Sequence, residues 1–96
     1  MNRLQLLFTK LAEEAAEIAQ ISLKCQQFGL DETWSETHLS NKIRLHDELD
    51  DLNAIVQMLN KEFEFNYVRS QFNMEKKIQK VNKYCKHSQK LGLVDV

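Results

Sequence analysis

Glu14 and Glu17 stand three residues apart in this sequence, and so do Glu48 and Asp51. On a helical wheel turning about 100° per residue, with Leu11 at zero, Glu14 falls about 60° and Glu17 about 120° to one side. With Leu45 at zero, Glu48 and Asp51 fall at the same two angles. Residues three apart on a helix are neighbours, so each helix would show an acidic pair on the flank of its apolar stripe. Two such helices side by side would bring four carboxylates into one pocket. Four carboxylates repel unless they are protonated or neutralised by a hard cation. Magnesium suits such a pocket, because it takes oxygen ligands and keeps positions open for water and phosphate. Manganese is the expected substitute. No His follows Glu14 or Glu48 by three, so the Glu-x-x-His pairs of di-iron bundles are missing. Glu13, Asp47 and Asp50 point further from the stripe and read as surface charges. The competing reading is plain: acids on helix flanks are usually solvated and idle.

The elements that must position these acids are long helices. There is no Pro and there are only two Gly among 96 residues, so the chain has few breakers. Leu4, Leu7, Leu11, Ala15, Ile18, Ser22 and Cys25 repeat at spacings of three and four, which is a helical stripe. Gly29 is a natural C-terminal stop. A second stripe runs through Leu45, Leu49, Leu52, Val56, Leu59 and Phe63, with Ser40 or Thr37 able to cap its start. The segment 64–70 turns the chain. A third stripe carries Met74, Ile78, Val81, Cys85 and Ser88, and the tail from Gly92 reads as frayed. The expectation is an all-α fold: one domain over 1–96, an antiparallel bundle of three long helices at about 2–28, 38–63 and 71–91. Ile21, Phe28, Ile55 and Met58 lie off these stripes. The wide apolar arcs they make call for a second contact, most simply a two-fold homo-oligomer.

Opposite the third stripe, Lys76, Lys80, Lys83, His87 and Lys90 fall within about 40° of one line. They can form a basic wall for a substrate's phosphates, with lysines as point charges, or a solvated face that offsets the acidic helices. Asn53 can bond a sugar or a base edge. Trp34 can stack on a base or plug the core, and packing is the safer assignment for a lone Trp. His38 and His46 have no zinc-ligand spacing. There is no glycine-rich phosphate loop.

The net charge of -1 gives nucleic-acid binding weak support, since only one basic stripe is present and few aromatics flank it. No apolar run approaches the ~18 residues that span a bilayer. The N-terminal residues do not have the pattern of a signal peptide. Cys25 and Cys85 sit among apolar neighbours and read as free thiols. A cytoplasmic protein is expected.

The segment Leu11-Ala12-Glu13-Glu14-Ala15-Ala16-Glu17, followed by Glu48-Leu49-Asp50-Asp51-Leu52, resembles the signature of the MazG-like all-alpha nucleoside triphosphate pyrophosphohydrolases. That family carries Glu-Glu-x-x-Glu on one helix and Glu-x-x-Asp on the next. The resemblance covers residues 4 to 63; the lysine-rich third helix is less diagnostic. It implies a homodimer or homotetramer that binds magnesium through Glu14, Glu17, Glu48 and Asp51. Glu13 matches the first motif position. It also implies cleavage of a (deoxy)nucleoside triphosphate between the α and β phosphates, giving monophosphate and pyrophosphate, as nucleotide-pool housekeeping. A divalent ion screens the triphosphate and acidifies the attacking water, and Glu14 or Glu17 is the candidate proton acceptor. Lys76, Lys80, Lys83 and Asn53 are the candidate substrate contacts. The alternatives are a non-catalytic helical interaction module and a related pyrophosphohydrolase acting on phosphoribosyl-ATP.

Overall fold

A computed structural model describes residues 1–33 and 38–95. It consists of three helices: α1 (Arg3–Phe28), α2 (Asn41–Phe63) and α3 (Gln71–Lys90). The sequence placed all three, with α2 starting at Asn41 rather than at 38. Thr37 and Trp34 lie outside the described residues.

Local chemistry sets each helix boundary. Asn2 caps α1 with a reciprocal pair of bonds: its Oδ1 accepts from Gln5 N at 2.8 Å, and Gln5 Oε1 accepts from Asn2 N at 2.9 Å. This capping box satisfies two of the donors that a helix start leaves open. Gly29 ends α1 at φ 90° and its N–H donates to Cys25 O. A side chain would be strained at that angle. Ser40 caps α2 through Ile43 N, and Ser70 caps α3 through Asn73 N. Glu64 and Asn66, both at positive φ, take the chain out of α2.

The helices α1 and α2 form an antiparallel hairpin. At its open end Arg3 pairs with Glu62 through two bonds, at 3.0 and 3.2 Å. At its closed end Asn41, 1% exposed, donates from Nδ2 to Gly29 O at 2.9 Å. Asn41 thereby ties the last turn of α1 to the first turn of α2. Backbone bonds Asn41 N to Glu32 O and Lys42 N to Leu30 O close the loop beside it.

The seam between these helices is not the stripe that hydropathy suggests. On α1 it runs Leu4, Leu7, Leu11, Glu14, Ile18, Ile21, Cys25, every member buried or half-buried. On α2 it runs Asn41, Leu45, Glu48, Leu52, Ile55, Leu59. Both lines alternate threes and fours, the periodicity of coiled-coil packing. Ile21, expected off the stripe, is 6% exposed and belongs to the core; Leu49, expected in the stripe, is 42% exposed. Ala15 and Ser22 also face outward. The hydrophobic reading drifted by one position because the true seam contains a glutamate on each helix.

The third helix departs from a three-helix bundle. It makes no packing contact with α1 or α2, and none of its residues is buried. The tail folds back on its end, with Leu93 N donating to Ser88 O and Gln89 Nε2 to Asp95 O. No helix among the described residues is long and apolar enough to cross a membrane. Cys25 and Cys85 are free thiols.

Candidate metal centre

Glu14 and Glu48 meet near the middle of the hairpin, inside its seam. Each occupies a position where its neighbours on either side are Leu or Ile. Glu17, one turn beyond Glu14, stands exposed at the seam's edge. One carboxylate oxygen from each of Glu14, Glu17 and Glu48 lies within 4.8 Å of the others. Three of the four expected acids are therefore brought together across the two helices, closer to the seam than a flank position implied. The wheel set Glu14 and Glu48 about 60° off the stripe; they stand in the seam itself, with Glu17 on its flank.

Asp51 is outside this triad of oxygens but close enough for its negative charge to raise the Glu14 pKa. It is exposed one turn beyond Glu48, as Glu17 is beyond Glu14. The two helices run antiparallel, so the outer acids of both pairs look out from the same side of the hairpin.

The electrostatics are those of crowded like charges at a half-buried seam. Oε2 of Glu14 and Oε2 of Glu48 each have less than 1 Å² of accessible surface and no hydrogen-bond partner. Burial is the main cause holding the Glu14 pKa above the ordinary carboxylate value, followed by the charges of Glu17 and Asp51. Glu48 is pushed up to about 7, first by a proton shared with Glu17, then by burial, then by the Glu17 charge and by Glu14. The nearby Lys10 pairs with Glu13 at 3.1 Å, which accounts for Glu13 as a surface charge.

Buried acceptors that lack donors are costly. Two of them in one apolar seam, facing a third carboxylate, are relieved by a proton or by a hard cation. The donor set is all oxygen, which matches magnesium or manganese and not zinc or copper. The site is also half-open: Glu17 and Asp51 face solvent, so a bound ion would retain access to water and to a phosphate. The residues fit a divalent ion.

The remaining candidates lie elsewhere. Lys76, Lys80 and Lys83 are exposed on α3, which does not reach the hairpin within one chain. Lys76 Nζ lies 5.5 Å from the centre of the Phe72 ring, and Lys83 Nζ 6.0 Å from that of Tyr84. Surface grooves on α3 are lined by Asn82, Lys83, His87 and Lys90, and on the other side by Lys77, Val81 and Tyr84. Neither includes an acid of the triad. Asn53 is exposed on α2, about 140° around the helix from Glu48. Sequence reasoning missed Asn41, whose burial and bonds fix the hairpin's closed end. A polar residue just after the Ser40 cap was the available signal. No family model, curated protein or solved structure matches the chain.

Proposed function

We propose that this chain is a magnesium-dependent nucleoside triphosphate pyrophosphohydrolase of the MazG-like kind. The observation that carries the reading is the convergence of Glu14, Glu17 and Glu48 in the hairpin seam, with buried oxygens that have no donor. A fold gains nothing in stability by placing two glutamates where leucines would pack. The arrangement makes sense if an ion holds the acids together. The order and spacing of the acids, Glu-Glu-x-x-Glu then Glu-x-x-Asp, support the family.

In this reading Glu14, Glu17, Glu48 and Asp51 hold the magnesium. The bound ion supplies charge screening for the triphosphate and a more acidic water. Glu14 and Glu48 are fixed by the packing of both helices, so they anchor. Glu17 and Asp51 stand at the open edge, where the triphosphate arrives. Glu17 is the better placed of the two candidate bases, since it reaches both the triad and solvent and can take the proton from the attacking water. Cleavage between the α and β phosphates then releases a monophosphate and pyrophosphate.

A second reading is favoured by the exposed α3: a helical interaction module that has the fold without the chemistry. One assay separates the two. The protein is incubated with magnesium and a panel of ribo- and deoxyribonucleoside triphosphates plus phosphoribosyl-ATP, and released pyrophosphate is measured. The proposal expects turnover of at least one substrate, lowered at least 100-fold in Glu48→Gln and in Asp51→Asn, with helical circular dichroism retained. No pyrophosphate from any substrate favours the interaction module.

A further inference from the structure

The third helix packs on neither helix of its own chain, although helices in proteins draw most of their stability from a packed apolar face. Specific contacts fix how the chain leaves α2 to reach it. Asn60 Nδ2 donates to Tyr67 O and Tyr67 N to Asn60 Oδ1, both at 2.9 Å, and Phe65 stacks edge-on against Phe8 at 6.4 Å.

Charge is unevenly shared along the chain. Residues 1–63 carry eleven acids and six bases, and residues 64–96 carry three acids and seven bases. A chain with a slightly negative total thus has a basic last third, and such asymmetry points to an anionic partner, nucleic acid or membrane. Within α3 the apolar and charged residues are more sharply segregated than in α1 or α2. At about 100° per residue, Ile78, Cys85, Met74, Val81 and Tyr84 fall within an arc of about 120°. Lys77 stands inside one edge of that arc and Lys80 about 40° beyond it, with Lys76, Lys83 and Lys90 on the opposite side.

Exposed apolar groups extend this arc past both ends of the helix. Tyr67, Val68, Met74 and Lys77 line one groove, and Lys77, Val81, Tyr84 and Val94 line the next, so the two meet at Lys77. Val68 is 82% exposed and Ile78 56%. The hairpin also has exposed apolar groups, Phe8 and Leu49 on the side away from the acids, but that face is uncharged at its centre. The strip on α3 differs in joining apolar surface to positive charge.

We infer that this strip, from Tyr67 to Val94, lies on the surface of a bilayer that contains anionic lipid, with Met74, Ile78 and Val81 among the upper acyl carbons and the lysines at the headgroup phosphates. No helix among the described residues can cross a bilayer. Lying in its surface needs only an amphipathic, lysine-rich helix of low mean hydropathy. Tyr67 and Tyr84 suit that boundary, where one end of a ring is apolar and the other wet. Lys77 and Lys80 can run their stems along the strip and set their ammonium groups among phosphates. Lys76, Lys83 and Lys90 stay within about a helix diameter of the headgroup plane, ~10 Å, where the surface still attracts them at physiological salt. A nucleic-acid backbone would engage the lysines and leave the apolar strip in water. A second α3 would repel, since each copy carries six lysines and one glutamate. The acid-rich hairpin is repelled by an anionic surface, so nothing draws the Glu14–Glu17–Glu48 edge onto the lipid. The inference stands apart from the catalytic reading, because none of those acids takes part.

Flotation of the full chain with liposomes tests it, using phosphatidylcholine alone and phosphatidylcholine with about 30% phosphatidylglycerol. The expected result is binding at least 10-fold tighter to the acidic liposomes. That binding should weaken at least 10-fold in Lys77→Glu/Lys80→Glu and in Ile78→Ser/Val81→Ser, with helical circular dichroism retained. The serine variant keeps every charge, so it separates insertion from attraction alone. No flotation, equal flotation with both liposomes, or undiminished binding by the serine variant would overturn the inference. An oligomer that does not float, or capture of a DNA duplex without flotation, would overturn it in favour of a second copy or a nucleic acid as the occupant.

Discussion

Glu48 sits where a two-helix seam would ordinarily place a leucine, and its carboxyl is pushed up to about 7 by Glu17, burial and Glu14. The consequence for the metal-free protein has a definite sign. A carboxyl whose pKa is higher in the folded chain than in the unfolded one binds its proton more tightly when folded. Its stabilising contribution is complete below about 4.5, the ordinary value, and is lost as pH rises to about 7. Metal-free protein should therefore melt at a lower temperature at pH 7.5 than at pH 5, and Glu48→Leu should flatten this slope and raise the melting temperature at pH 7.5. Thermal denaturation across that range in a chelating buffer checks both; a melting temperature that climbs with pH would contradict the seam electrostatics. The acids themselves were legible in the sequence because their spacing repeats on two helices. Their depth was not. Hydropathy assigns a glutamate to a flank by default, so Ala15 and Leu49 were given the seam positions that Glu14 and Glu48 hold.

At the scale of the element, the hairpin depends on its closed end. Gly29 has φ 90° and ψ 163°, a region essentially only glycine occupies, and nothing within 4 Å of where a Cβ would lie, so Gly29→Ala meets no clash but strains the backbone by about 1–3 kcal/mol. Asn41→Ala removes a bond to Gly29 O and leaves that carbonyl without its side-chain donor. The expected loss is about 1–3 kcal/mol, comparable with that of Gly29→Ala, and is read as a lower urea midpoint with helical content retained. An unchanged midpoint in Asn41→Ala would mean that the glycine conformation, not the asparagine, closes the hairpin. The helices were readable from the absence of proline, the three-four periodicity, Gly29 and the Ser40 cap. The Asn2–Gln5 capping box and the role of Asn41 depend on bonds that spacing does not announce. The independence of α3 was also invisible, because an amphipathic helix reads the same whether its partner is in its own chain or another.

At the scale of the molecule, one hairpin has two opposed demands. Its uncharged face needs covering, and the repelling carboxylates on its other side need neutralising. A divalent cation at the proposed site would answer the second. The seam glutamates weaken the metal-free hairpin, so an ion that binds only the folded acids must stabilise it by mass action. The most direct test is a magnesium titration followed by thermal denaturation at pH 7.5, comparing the natural chain with the Glu14→Gln/Glu48→Gln double variant. A saturable rise in melting temperature, on the order of 10 °C at a hundredfold excess over the Kd, is expected for the natural chain and should vanish in the variant. No rise in the natural chain, or an equal rise in both, would contradict a shared metal site in the seam.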